Sequence, residues 1–255
     1  MNRISAYILT HNSEKYLSRI LDALTSVADE VLVIDSGSID NTEKISRNYP
    51  NVRFIFHKFE NFRDQRIFAE SECANSMVLF LDSDEIPDSS FIKSIHNIKN
   101  SARLFDVYRV TRNWKVLGKT VHCIYPVSSP DNPIRLYNKN VASFKDSQLI
   151  HETQTGYSTI GRINGRIEHY TFETRGELNK KLEDYTTIAA QDLIIKKKQI
   201  NFVKILINPI AAFIKWYFSK DGYKDGIRGI IIAKYAYDYT RLKYVKAWHI
   251  LKQDK

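Results

Sequence analysis

The stretch Met77-Val78-Leu79-Phe80-Leu81-Asp82-Ser83-Asp84 decides the fold. Five apolar residues run without a break and stop at a carboxylate. A run this short and this apolar reads as a strand buried on both faces, and such strands belong to parallel sheets covered by helices on either side. Working outward, the same pattern recurs. Ile4 to Leu9 is an apolar run ending at Thr10, Val31 to Ile34 ends at Asp35, and Val52 to Phe56 forms a third such run. Between them Tyr16, Leu17, Ile20, Leu21 and Leu24 recur at helical spacing, with Asn12 or Ser13 placed to cap them. Asp40 followed by Glu43 reads as a helix cap with its reciprocal partner, and Gln65 to Cys73 and Phe91, Ile95 and Ile98 mark two more helices. Strands alternating with helices predict an α/β fold, a Rossmann-like, mostly parallel central sheet flanked by helices. Polar groups gather where its strands end, which is where open α/β sheets bind ligands.

The chain has 255 residues and 43% hydrophobic content, enough for a large core, and no low-complexity tract. Two cysteines, Cys73 and Cys123, form neither a disulfide framework nor a metal-ligand spacing, and a reducing compartment fits them. The apolar run at the N-terminus is too short for a signal-peptide core, and no stretch approaches 18 uninterrupted apolar residues, so no transmembrane helix is expected. The net charge of +9 is uneven: residues 196–255 carry +10 and the preceding residues −1. Residues 1–100 read as one half of an α/β domain. Residues 101–172 read as its second half, with strands at Phe105 to Val110 and Pro133 to Tyr137 and long loops. Residues 173–255 read as a basic helical extension whose apolar stretch 202–218 is interrupted at Asn208-Pro209.

Asp82 and Asp84, at the turn leaving a strand, can both reach one hard cation such as Mg²⁺ or Mn²⁺; the same acids also suit a helix start before Pro87 and Asp88. Asp35 can accept a hydrogen bond from a uracil or adenine edge, or cap the turn Ser36-Gly37-Ser38. Arg66, after Gln65, can contact phosphates bidentately or lie on a solvated helix face. Glu152, after His151, suits a general base that deprotonates a hydroxyl, or belongs to a surface pair; His169 suits a structural histidine. In the tail, Phe202, Leu206, Ile210, Ile214 and Phe218 sit among Lys196 to Lys198, Lys204, Lys215 and Lys220. This pattern suits an anionic lipid surface, or packing on the domain or in a homodimer. No motif for nucleic-acid binding accompanies the charge.

Taken in order, Leu9-Thr10-His11-Asn12, Val33-Ile34-Asp35-Ser36-Gly37-Ser38, Gln65-Arg66, Leu81-Asp82-Ser83-Asp84-Glu85, Pro130-Asp131, Arg135-Leu136-Tyr137, His151-Glu152, His169 and Asp221-Gly222-Tyr223 resemble the bacterial family 2 glycosyltransferases of GT-A fold. The resemblance is to the branch that adds glucose to the inner core of lipopolysaccharide or lipooligosaccharide. It implies an inverting, metal-dependent hexosyltransferase using UDP-glucose and Mg²⁺ or Mn²⁺, with a heptose or other sugar of a lipid-linked saccharide as acceptor. A capsule or exopolysaccharide transferase, or a non-catalytic nucleotide-binding assembly protein, stands as the alternative. The resemblance places Thr10, Asn12 and Asp35 in the nucleotide pocket, Gln65 and Arg66 near the diphosphate, and Asp82 beside the ribose and sugar. It makes Asp84 and His169 metal ligands, Asp131 and Arg135 sugar contacts, and Glu152 the base. It implies a cytoplasmic protein at the inner face of the inner membrane.

Overall fold

In the computed structural model, which describes residues 1–145 and 153–253, the predicted alternation of strands and helices appears in order. Strand β1 (Ile4–Thr10) leads to α1 (Glu14–Val27), β2 (Glu30–Asp35) to α2 (Thr42–Arg47), and β3 (Val52–Phe56) to α3 (Phe62–Glu72). Then come β4 (Met77–Asp82), a three-residue β5 (Glu85–Pro87) and α4 (Ser89–Lys99). The long β6 (Val107–Val116) is followed by short β7 (Lys119–Thr120), β8 (Cys123–Ile124) and β9 (Val127–Ser128), then β10 (Ile134–Asn138) and β11 (Ile160–Phe172). Three helices close the chain: α5 (Arg175–Ile195), α6 (Phe202–Ile214), prolonged by a π-helical turn over Lys215–Ser219, and α7 (Ile227–Gln253).

The central sheet runs in the order β3-β2-β1-β4-β10-β6-β11-β5. Its β3-β2-β1-β4 half is parallel, as the apolar runs predict. Beyond β4 the expectation of a mostly parallel sheet gives way to a mixed one, since β10 is antiparallel to β4 and β6, and β5 is antiparallel to β11. The core lies where the continuous strands are: Tyr7, Ile8, Leu32, Ile34, Val78 and Leu79 are all inaccessible to solvent.

The chain divides into two compact units, residues 1–112 with 132–169, and residues 113–131 with 170–255. In the second unit Trp216, Ile232, Ala233 and Phe172 form a separate core with Cys123 and Ile124. Both cysteines are free and buried, and burial pushes each thiol up to about 12.

Two local expectations are corrected. The N-cap residue of α2 is Asn41, not Asp40. Asp40 instead takes the amide of Thr42 on one carboxylate oxygen and the amide of Glu14, which opens α1, on the other, while Glu43 pairs with Arg47. One carboxylate thus serves two helix starts, both favoured by the helix dipole. Pro209 does not end α6, because the helix runs through it. Pro209 is buried, and Asn208 Nδ2 donates to Tyr244 Oη of α7 at 3.2 Å, so packing outweighs the lost backbone bond.

Candidate functional site

The carboxyl ends of β1, β2 and β4 lie side by side, with Thr10 in register with Asp35, and Leu9 with Asp82. A cavity of about 430 Å³ opens there, lined by Thr10, His11, Ser36, Phe59, Phe62 and Gln65, with Ser83 on its rim. That volume suits a small ligand or cofactor. Phe59 and Phe62 stand edge to face, ring centroids 5.1 Å apart, and both are more than 40% exposed. Exposed aromatic faces beside a cavity are ready to stack on a planar ring. Neither was singled out from sequence; their signal is an aromatic pair placed just after β3, where a polar loop is usual.

Asp35 is 3% exposed and spends its carboxylate on its own turn. It accepts from Thr10 Oγ1 at 2.8 Å, the amides of Gly37 and Ser38 at 2.9 and 2.8 Å, and Ser38 Oγ at 2.5 Å. Of the two readings of Asp35, the turn cap is the contact observed. Asn12 sits at a left-handed φ of 52°, a region Asn tolerates, and clamps the same loop: its amide donates to Ser38 Oγ and its Oδ1 accepts from Ile39. Gln65 is held by His57, whose Nδ1 lies 2.8 Å from Gln65 Oε1.

Behind the turn lies a buried ion cluster. Arg66 Nη2 donates to Asp82 Oδ1 at 2.9 Å, and Arg135 Nη2 donates to Asp82 Oδ2 at 3.0 Å. Arg135 also grips Glu85 through Nε at 2.7 Å and Nη2 at 2.5 Å, and Arg112 donates to Glu85 Oε1 at 2.7 Å. Arg66 and Arg135 both lie over the ring of Phe80, at 4.6 and 4.7 Å from its centroid. Burial alone would push the Asp82 carboxyl up, but the Arg135 and Arg66 guanidiniums overcome it and hold Asp82 well below the usual carboxylate range. Glu85 is likewise lowered, burial opposing and Arg135 then Arg112 winning over repulsion from Asp82. Arg66 therefore lies on no solvated helix face, and Arg135 is a 5% exposed clamp on two carboxylates. Glu85, fully buried at the centre, stood in the motif that carries the resemblance but was given no role there.

Asp84 pairs with a histidine that also approaches Glu85, its Nδ1 3.7 Å from Glu85 Oε1. Its Oδ2 lies 3.1 Å from His169 Nε2, and cross-strand pairing of His169 with Glu85 fixes that approach. Asp84 keeps 30% of its side chain exposed, so the pair is open to a ligand on one side. Among the described residues no group of three or more His, Cys, Asp and Glu side chains gathers around one point. A Mg²⁺ or Mn²⁺ ion held by two protein ligands, with phosphate and water oxygens completing its shell, fits this donor set, and the imidazole nitrogen favours Mn²⁺. Asp131 belongs to the second unit, where it accepts from Trp114 Nε1 at 3.1 Å. His151 and Glu152 lie outside the described residues.

Comparison with known proteins follows the same lines. The family model described as glycosyl transferase family 2 matches residues 5–139, more than half of the chain. An uncharacterised glycosyltransferase of Rickettsia typhi is 27% identical over 91% of this chain and 82% of its own. A lipopolysaccharide core biosynthesis glycosyltransferase of Rhizobium meliloti is 24% identical over 98% of this chain and 94% of its own. Among solved structures, S. aureus TarS superposes with a TM-score of 0.50 at 16% identity, covering 99% of this chain and 92% of that one, a likeness of fold.

Proposed function

We propose that this chain, which belongs to glycosyl transferase family 2, moves a hexose from a UDP-sugar to a saccharide of a lipopolysaccharide-type core, with inversion and with a divalent metal. The observation that carries the reading is the approach of Asp84 to His169 beside a nucleotide-sized cavity whose rim includes Ser83. Asp84 and His169 hold the ion. When bound, a divalent cation neutralises charge on the departing diphosphate. Phe59 and Phe62 offer stacking faces to the base, and Thr10 and Ser36 offer hydroxyls to the nucleoside. Asp82, kept ionised by Arg66 and Arg135, retains lone pairs for a ribose or sugar hydroxyl. Glu152 takes the proton from the acceptor hydroxyl as its oxygen bonds the anomeric carbon; the bond from that carbon to the diphosphate breaks, and the electron pair leaves with UDP. Glucose is the donor sugar we favour, from the resemblance of the site motifs. The likeness along the whole chain to a lipopolysaccharide core transferase supports a lipid-linked acceptor.

Such an acceptor calls for a membrane surface, and α6 supports one, at the cytoplasmic face of the inner membrane. Residues 202–219 form a helical stretch long and apolar enough to cross a membrane by length and composition.

Titration calorimetry with UDP tests the donor site. Binding is expected with MnCl₂ and lost with EDTA, and the Asp84→Ala and His169→Ala variants are expected to lose the metal-dependent part, about tenfold or more in Kd for one charge-assisted ligand. UDP binding that ignores both metal and variants would sink the assignment. A panel of UDP-sugars then names the donor by turnover.

A further inference from the structure

A second cavity, of about 120 Å³, lies in the first unit and shares no lining residue with the first. Arg66, Arg109, Arg135, Thr153 and Gln154 supply its polar wall, and Phe80 and Phe144 are among its apolar neighbours. No carboxylate lines it among the described residues. Arg66 and Arg135 are committed to Asp82 and Glu85, as described. Arg109 is different. Its Nη1 donates to the Asn132 carbonyl at 2.9 Å and its Nη2 to the Tyr157 hydroxyl at 3.3 Å, and it faces no acid among the described residues. Gln154 is 4% exposed, and its Nε2 has no hydrogen-bond partner among the described residues.

Each of these facts points to a missing acceptor. A buried amide without a partner is costly, so a donor left this way in a cavity wall is poised for a ligand. Arg109 adds to the same wall a guanidinium that meets no carboxylate among the described residues. The planar fork of arginine matches phosphoryl and carboxylate oxygens. The volume of about 120 Å³ is small beside an ordinary ligand cleft and suits a phosphoryl or carboxyl group with its adjoining carbon rather than a whole nucleotide.

We infer that this cavity holds the acidic substituent, phosphoryl or carboxylate, of the acceptor saccharide. Thr153 and Gln154 directly follow Glu152 in the chain, so the proposed base and the anion-binding amide are near neighbours in sequence. The inference rests on the reading of Glu152 as the acceptor-side base. It narrows that reading: the acceptor is an acidic sugar, held by Arg109 and Gln154 while its hydroxyl faces the donor.

The test uses full-length protein saturated with UDP and MnCl₂, titrated with mannose 6-phosphate, glucuronate and mannose. At least one acidic sugar is expected to bind at least about tenfold tighter than mannose, the tighter of the two naming the group, and raised salt is expected to weaken it. Arg109→Gln and Gln154→Leu are each expected to weaken the acidic sugar about tenfold or more with unchanged affinity for UDP. Gln154→Leu keeps the bulk of the side chain, so it reports on the amide even where Arg109→Gln loosens the backbone at Asn132. Equal binding of mannose and the acidic sugars, no binding of either acidic sugar, or full acidic-sugar binding by both variants would overturn the inference. UDP affinity, measured on the same samples, reports separately on the donor site.

Discussion

Asp82 and Asp84 stand two residues apart and do different work. One pairs with two arginines and the other with a histidine. The turn between β4 and β5 separates them, so a D-x-D pattern that reads as one site becomes two acids with different partners. Glu85 joins the arginine side. It was passed over in the sequence because its meaning depends on Arg112 and Arg135, 27 and 50 residues away, and nothing local announces a fully buried glutamate. Removing one member of such a cluster leaves the others buried and uncompensated. Glu85→Gln is expected to cost about 3–5 kcal/mol in urea unfolding, whereas loss of less than 1 kcal/mol would mean the cluster is not a unit. The pH dependence has a definite sign. Asp82 and Glu85 have folded pKa values below their ordinary 3.8 and 4.5, so they contribute stability that is fully present above those values and lost as pH falls through the lowered ones. Stability is therefore expected to drop as pH is lowered below about 4.5, and Glu85→Gln should flatten that drop.

At the scale of elements, what was legible is what is local. The four parallel strands announce themselves as apolar runs, and α1, α3 and α4 by spacing and length. The parallel register then brings Thr10, Asp35 and Asp82 to one edge without further information, so half of the candidate site follows from four short runs. The three-residue β5 was illegible because its only cause is pairing with β11, some 80 residues on. Pro209 misled for the converse reason, that a local helix-breaking rule yields to packing against α7. The run Asp221-Gly222-Tyr223 was recognised by resemblance alone, and its physical content is a corner that packs on Gly229 at the start of α7. A Cβ on Gly229 would stand 1.7 Å from the Gly222 carbonyl oxygen, and one on Gly222 2.6 Å from that of Trp216. Two backbones touch there and neither has a flexible side chain to move aside. Gly229→Ala is expected to lower stability by about 1–3 kcal/mol, as overpacking does, and to lower the thermal midpoint. Gly176→Ala, with nothing nearer than 3.8 Å, serves as its control and is expected to leave the midpoint unchanged or slightly raised.

For the whole molecule the charge and the apolar surface have to be read together. The chain is +9, and the surplus sits in residues 196–255, a segment that also exposes many large apolar side chains. Along α6 and its extension Phe202, Val203, Leu206, Ile207, Ile210, Ile214 and Phe218 are each at least half exposed, at intervals of one, three and four residues that form a single stripe. Residues between them, Pro209 and Trp216, are buried, so the helix already has an inner face and the stripe is a second, outward one. Lys204, Lys215 and Lys220 lie along it and Lys196 to Lys198 precede it, which suits anionic headgroups around an inserted apolar face. Each lysine near such a surface contributes about 1 kcal/mol, and burying each Leu or Ile about 1.5–3 kcal/mol. Replacing Leu206 and Ile210 by Gln removes two of the stripe's apolar anchors at sites more than 50% exposed, so the fold is spared. Sedimentation with vesicles containing phosphatidylglycerol is expected to show binding that weakens with salt and falls at least about tenfold in the double variant. Binding to neutral vesicles alone, or an unchanged affinity in the double variant, would remove lipid as the partner of α6. A dimer that persists without lipid and dissociates in the double variant would instead assign the stripe to a second copy of the chain.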